Sequence, residues 1–577
     1  MLAMSAPPSP EATEASSNWA PSPRGLVTLF IALSILWFAT LDARRLVHPD
    51  EGRYAEIARE MAATGDWVTP RLNGLKYFEK PPLQYWLTAA AFRVFGVHEW
   101  TARLWPALAG FLGVLALGAA GYALGGVTLG AYAGVVLATT LWHAGIAQIV
   151  TLDSGLSFFL ALGFSALVIA QRAETPANAR RTWMWVASAA LAGATLSKGL
   201  IGIVLPGGAL VVYTALTRDF AIWRRLHLAS SLVVYLALTA PWFIAVARAN
   251  DEFVRFFFIH EHFERFLTTG HERPGSWHYF VPWFAVGMLP WLTVLLYGVR
   301  SAWRDGVPNA LGFSWQRFAL SWAAFVFLFF SASGSKLQSY ILPMFPPLAL
   351  VTAFLLVHLE ARKLVRLMLP LVAAGSAVAL GLVVAYDRYA PAFATARLPA
   401  AVLIAFGAYL KVAAIIAAAG GIAGLVVFRN GGYSPKARFA GLTLQALTVL
   451  AGLQVAIAGF DRLSPMRSSS AILRSAQQAA AFAADAPFYQ VAMYDQTVPF
   501  YLRRPTRIAA YRDELALGID AEPEKQVPTM AAWIAEWESL AQGYAVMEPA
   551  MHATLAAQGV PMRELARDPR RVVVSRQ

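Results

Sequence analysis

The chain has 577 residues, with 47 Lys and Arg against 34 Asp and Glu, a formal net charge of +13. It is 58% hydrophobic and only 14% charged, where soluble domains run at roughly 45–50% apolar and about 25% charged; the mean hydropathy is +0.51. These values exclude a soluble enzyme or a disordered chain and define a many-span membrane protein. Its basic excess belongs to cytoplasmic loops and anionic lipid, so no nucleic acid is expected as a partner. With no cysteine, there is no disulfide framework, thiolate metal site or cysteine nucleophile.

Residues 1–24, rich in Pro, Ser and Ala, read as a disordered cytoplasmic tail. The apolar run Leu26–Leu41 lacks a small-residue cleavage site and reads as an uncleaved signal anchor. Further runs lie near 104–122, 129–150, 154–171, 183–197, 200–217, 228–247, 279–299, 318–331, 338–358, 367–386, 400–428 and 439–460. About thirteen spans are therefore expected within a membrane domain of residues 25–461. Alternate loops carry Arg172, Arg180 and Arg181; Arg218, Arg224 and Arg225; Arg300 and Arg304; Arg362, Lys363 and Arg366; Arg429, Lys436 and Arg438. The positive-inside rule makes these loops cytoplasmic. Loops 42–103, 248–278, 332–337 and 387–399 are then external, as is the tail 462–577.

In the first external loop, Tyr54, Ile57, Ala58 and Met61 share one helical face over Asp50–Met61, with Arg53, Glu56 and Glu60 opposite. This stretch and the apolar Pro81–Val94 are predicted as helices lying in the membrane interface. Residues 248–278 mix six phenylalanines with charges and read as a third interfacial element. The less apolar tail is predicted as a small α/β domain, with strands at Gln490–Met493, Arg507–Ala510 and Val572–Val574 and helices at Met530–Gln542 and Met551–Gln558.

The chain lacks a Walker loop, a dinucleotide fingerprint and an HExxH motif, so no nucleotide cofactor is expected. Its conspicuous polar residues fall on the external side: His48-Pro49-Asp50-Glu51, Tyr77-Phe78-Glu79-Lys80, Asp153, Lys198, His260-Glu261-His262, Arg265, Lys336 and Tyr340. Each has a plain structural reading. Asp50 caps its helix, and Glu51 faces the helix dipole. Lys80, Lys198 and Lys336 snorkel to headgroups, and Arg265 pairs with Glu261 or Glu264. The phenylalanines anchor the interface. Lys411, inside the 400–428 run, places the start of that span near itself, with 398–410 in the interface. Taken together, the external residues suit a reaction on a lipid-linked phosphate: cations stabilise a leaving phosphate and a carboxylate orients or deprotonates the acceptor.

The stretch HPDEGRYAEIAREMAATGDWVTPRLNGLKYFEKPPLQYWL, starting at His48, resembles the first periplasmic loop of bacterial lipid A aminoarabinose transferases. It is also similar to the wider protein-mannosyltransferase-like group of the GT-C glycosyltransferases. The likeness continues through Thr151–Ser154, Ser197–Gly199 and Ser335–Pro343, and with the span pattern reaches about residue 460. It implies an all-α polytopic GT-C fold with interfacial periplasmic helices in the bacterial inner membrane, carrying the small α/β domain on the periplasmic side.

The resemblance also implies an enzyme that moves 4-amino-4-deoxy-L-arabinose from undecaprenyl phosphate to a lipid A phosphate, lowering lipid A charge and the binding of cationic peptides such as polymyxin. It implies Asp50 as the catalytic carboxylate, Asp153 as a second acidic residue of the site, and Tyr77, Lys80, Arg265 and Tyr340 near the carrier phosphate. Lys198 and Lys336 are candidate cations for the same phosphate. Glu79 with His260 or His262 is a candidate zinc site. The rival readings are a polyprenyl-phosphate-dependent mannosyl- or other sugar transferase with a hydroxyl acceptor, and a lipid or sugar transporter or flippase. A transporter favours ionisable residues near the bilayer midplane, whereas the charges here gather at external span ends.

Overall fold

Glycine breaks the longest helix of the chain, and with it fixes the count of spans. Glu99–Thr139 holds 41 residues, but Gly125 and Gly126 leave helical geometry and Gly126 has φ +73°. A side chain is strained at that angle, so two spans turn back on each other there. The structure, a computed structural model, describes residues 19–264 and 275–576, without the side chains of 260–264. Among the described residues, eight helices are long and apolar enough to cross a membrane, or nine with the bent pair Phe280–Gly287 and Leu292–Arg304. The shorter Pro23–Phe38 and Ile201–Thr217, the less apolar Ala177–Lys198 and the break at Gly125 and Gly126 account for the rest. Every one of the thirteen apolar runs falls on a helix. The first helix begins at Pro23, just inside the stretch read as tail.

The basic loops meet at one end. Arg225 donates to Gln171 Oε1 (2.6 Å) and to the Leu311 carbonyl (2.8 Å), and pairs with Asp219 at 2.9 Å. Asn309 donates to the Gln171 carbonyl at 2.8 Å. Lys411 does not mark the start of a span: Ala400–Asn430 is one continuous helix, and Lys411 pairs with Asp387 of the preceding helix at 2.6 Å.

At the other end lie both predicted interfacial helices, Asp50–Thr64 and Leu83–Phe95, joined by a two-stranded hairpin. The charged face of the first helix is covered by protein. Glu56 and Glu60 are buried; Glu56 takes both arms of Arg59 (2.6 Å each), and Glu60 accepts the Gly74 N–H at 2.9 Å. Burial and the neighbouring Glu56 raise the pKa of Glu60. The phenylalanine-rich segment forms a π-helical turn, Arg255–Glu264. Phe253 and Phe257 are buried rather than anchoring at a surface; Phe253 meets Phe78 of the first loop edge-on at 5.4 Å.

The tail is an α/β domain with a six-stranded sheet in the order 526–527, 507–509, 488–491, 544–547, 572–575, 563–567. Its first four strands are parallel and the last two antiparallel. Three of these strands and the helices Met530–Ser539 and Pro549–Ala557 match the sequence reading within a few residues. The strands Gln526–Val527, Tyr544–Met547 and Arg563–Arg567 do not appear in it. The domain sits directly on the first interfacial helix. A Cβ on Gly52 would lie 2.8 Å from the backbone of Gln496 and Thr497. Asn73 and Thr506 exchange hydrogen bonds of 2.6 and 2.7 Å, and Arg71 pairs with Glu522 at 2.9 Å.

Candidate active site

Two adjacent carboxylates open the first interfacial helix and have opposite surroundings. Asp50 is the first helical residue and does not cap the helix, because Pro49 occupies the capping position. Its side chain is 38% exposed and, among the described residues, accepts one hydrogen bond, from Arg53 Nη1 at 3.1 Å. Glu51 is no surface dipole partner. Its side chain is fully buried and takes Arg44 (2.7 and 2.9 Å) and Arg103 (2.9 and 3.0 Å). It also accepts the N–H groups of Val47 and Val150, each at 3.2 Å. Burial alone raises its pKa, but Arg103 and Arg44 together outweigh burial and hold it well below the carboxylate range. Because Glu51 reaches Val150, the start of this helix is fixed beside the segment leading to Asp153.

Asp153 is buried in the first turn of Leu152–Ala170. It pairs with Lys198, the last residue of Ala177–Lys198. The Lys198 ammonium lies 4.8 Å from the centre of the Tyr340 ring. Asp153, Lys198 and Tyr340 are therefore one group, and Lys198 is not a snorkelling side chain. Lys336 is otherwise engaged: its Nζ donates to the carbonyls of Phe330 (3.3 Å), Ser331 (2.8 Å) and Ser333 (2.8 Å). These hydrogen bonds close the end of the helix Trp315–Ala332.

The motif Tyr77–Lys80 sits where the first long loop, the second long loop and the α/β domain join. Lys76 pairs with Glu252 of the second long loop at 2.7 Å. Gly518 of the α/β domain packs on the Lys76 carbonyl, 2.6 Å from where a Cβ would stand. Lys80 Nζ donates to the Glu79 carbonyl at 2.6 Å. Tyr77 is buried, and its hydroxyl has no hydrogen-bond partner among the described residues; burial keeps it protonated by raising its pKa. Arg265 lies outside the described residues, as do the side chains of His260 and His262. Among the described residues no three His, Asp or Glu side chains gather as a metal site.

Sequence reasoning missed two participants. Arg53 links Asp50 to Glu514 of the α/β domain, 2.6 Å away, and Glu514 in turn accepts from Gln496. Arg53 lies on the helical face opposite Tyr54, where its position alone does not mark it as a partner of Asp50. Nothing local to Glu514 marks it, because its meaning comes from domain docking.

The spans, the helices Asp50–Thr64 and Leu83–Phe95, and the carboxylates and cations gathered at one end define a polytopic membrane protein of GT-C fold. A family model for dolichyl-phosphate-mannose-protein mannosyltransferase matches residues 23–303, and one for the aminoarabinose transferase C-terminal domain matches 475–576. The crystal structure of ArnT from Cupriavidus metallidurans bound to undecaprenyl phosphate is similar at TM-score 0.89 and 36% identity, over 96% of this chain and 99% of that one. The undecaprenyl phosphate-alpha-4-amino-4-deoxy-L-arabinose arabinosyl transferase of Edwardsiella ictaluri is 30% identical over 332 residues, 57% of this chain and 59% of the relative. That of Aeromonas salmonicida is 33% identical over 322 residues, 55% and 57%. The match thus spans just under three-fifths of these curated relatives. The chain belongs to the ArnT family of aminoarabinose transferases.

Proposed function

We propose that this protein transfers 4-amino-4-deoxy-L-arabinose from undecaprenyl phosphate to a phosphate of lipid A, at the periplasmic face of the bacterial inner membrane. The names of the curated relatives and the carrier bound in the similar crystal structure support this reading. The observation that carries it is Asp50: an accessible carboxylate with a single arginine contact, fixed at the mouth of the external surface by its buried neighbour Glu51. A lipid A phosphate oxygen attacks the anomeric carbon, and the bond from that carbon to the carrier phosphate breaks. Lys80, Lys198, Arg265, Tyr77 and Tyr340 receive the charge that develops on the departing undecaprenyl phosphate. Asp153 positions Lys198 for this role.

The acceptor phosphate is already anionic, so it needs no base, and an ionised Asp50 repels it unless a cation intervenes. Asp50 therefore orients the ammonium group of the sugar and stabilises positive charge at its anomeric carbon. A zinc ion held by Glu79 with His260 or His262 would order the two long loops; elemental analysis of active, chelator-free protein tests it.

The test of the function is reconstitution with lipid A and mass spectrometry of the product. A free-amine donor is expected to be used far better than its N-formylated form. Equal rates would remove the amine from the mechanism. Efficient glycosylation of a hydroxyl acceptor would move the reading to a mannosyltransferase-like enzyme, which the match over 23–303 makes the alternative.

A further inference from the structure

The junction between the last span and the α/β domain gathers arginines without acidic partners. The His48 N–H donates to the Arg467 carbonyl at 2.8 Å. Arg570 Nη1 donates to the Met466 carbonyl at 2.9 Å and contacts the His48 ring. Arg397, from the external loop after Ala361–Tyr389, adds a third cation. Arg397 and Arg467 are exposed and Arg570 is half-buried. Burial lowers the pKa of Arg570, and repulsion from Arg571, Arg467 and Arg397 lowers it further against the pull of Asp495.

The nearby carboxylates make no ion pair with these three guanidinium groups, although Asp568 accepts the Arg570 backbone N–H at 2.7 Å. Asp495 and Asp568 hold Arg571 at 2.7 and 2.8 Å, and Asp461 accepts the Arg45 N–H at 3.0 Å. Among the described residues, none of Arg397, Arg467 and Arg570 has an ion-pair partner. Like charges held together at a surface repel one another and raise the local potential for anions. Tyr389, Phe393 and Phe460, 59%, 74% and 49% exposed, stand on the same end of these helices, where aromatic side chains suit a headgroup layer. The cluster also adjoins the reacting centre, since His48 precedes Asp50 by two residues.

We propose that Arg397, Arg467 and Arg570 form a subsite for a phosphate monoester on the sugar headgroup of the acceptor glycolipid, separate from the cations that face the carrier. Guanidinium groups match such a phosphate through paired N–H donors. In an acceptor with two phosphates, this subsite takes the one that does not receive the sugar and so sets which one does. The inference rests on the reading of the acceptor as a lipid A-type glycolipid.

The test uses the full-length protein in nanodiscs and measures binding of bisphosphorylated lipid A, fully dephosphorylated lipid A and inorganic phosphate. Arg397→Ala combined with Arg467→Ala is expected to weaken bisphosphorylated lipid A by about tenfold or more. Lysine at both positions should recover part of that loss. The dephosphorylated lipid should bind wild type and variant alike. Arg429→Ala, at the opposite end of the helices, should leave the affinity unchanged. Unchanged affinity in the double variant, or an equal loss for the dephosphorylated lipid, would overturn the subsite. Displacement of lipid A by equimolar inorganic phosphate would make it a plain anion site and also overturn the proposal. Binding needs no turnover, so a protein that transfers no sugar would refute the function and leave the arginine subsite standing or falling on its own measurement.

Discussion

Asp50 and Glu51 are neighbours in one helical turn, yet one is held by a single contact at 3.1 Å and the other by two buried arginines and two backbone N–H groups. The contrast separates two uses of a carboxylate. A buried one, fully satisfied, fixes the geometry of the helix, the preceding segment at Arg44 and Val47, and the approach to Asp153. An accessible one, lightly held, remains free to meet a substrate cation. The precision of the second depends on the rigidity of the first.

Removing Glu51 should break this contrast most severely. Glu51→Gln leaves Arg44 and Arg103 buried without a counter-charge, and breaking such a pair costs about 3–5 kcal/mol. Thermal unfolding in detergent should show a large drop in midpoint; a wild-type midpoint would mean that the arginines find other partners.

The carrier side should respond less. Lys80→Ala removes a charge-assisted contact worth about 1.5–3 kcal/mol. A direct binding assay should therefore show about tenfold or more weaker undecaprenyl phosphate, with the unfolding midpoint nearly unchanged. Next comes Glu514→Gln, which frees Arg53 from the α/β domain. With Asp50 still holding the arginine, the loss should stay below the about 3–5 kcal/mol of a fully broken buried pair, read as a fall in catalytic efficiency with a measurable drop in the unfolding midpoint. If Glu514→Gln matches Asp50→Asn in severity, the α/β domain belongs to the chemistry and not only to its support.

One effect appears only on acidification. Burial lowers the His48 pKa from 6.5 to about 4. Between those values the unfolded chain binds more protons than the folded one, so stability falls as pH drops from about 6.5 toward 4. Hydrogen-exchange protection factors at 467–471, which divide out the slower intrinsic exchange at low pH, should fall over that range, and His48→Gln should flatten the dependence.

The sequence revealed the spans well because each needs a long apolar run whatever its neighbours. Loop charges likewise grouped loops that the structure brings together at one end. Pairing was harder to read. Lys198 and Lys336 have the same local appearance, a lysine after an apolar run, but one meets Asp153 across 45 residues and the other folds back on its own helix end. Glu56 and Glu60 sat on a face that seemed polar only because the domain covering it lies more than 400 residues away in sequence. The short strand Tyr544–Met547 is a four-residue apolar run that periodicity does not distinguish from a buried helix turn, and the charged Arg563–Arg567 is an edge strand whose polarity hid it.

The most direct measurement is sugar transfer to lipid A by purified, reconstituted Asp50→Asn protein, with its unfolding midpoint recorded alongside. The substitution keeps the size of the side chain and removes only its charge. The account predicts a midpoint close to wild type, since a part-exposed pair contributes about 0–1 kcal/mol, together with turnover reduced by at least about a hundredfold. Wild-type turnover by a folded Asp50→Asn protein would contradict the central claim that this lightly held carboxylate acts on the reacting sugar.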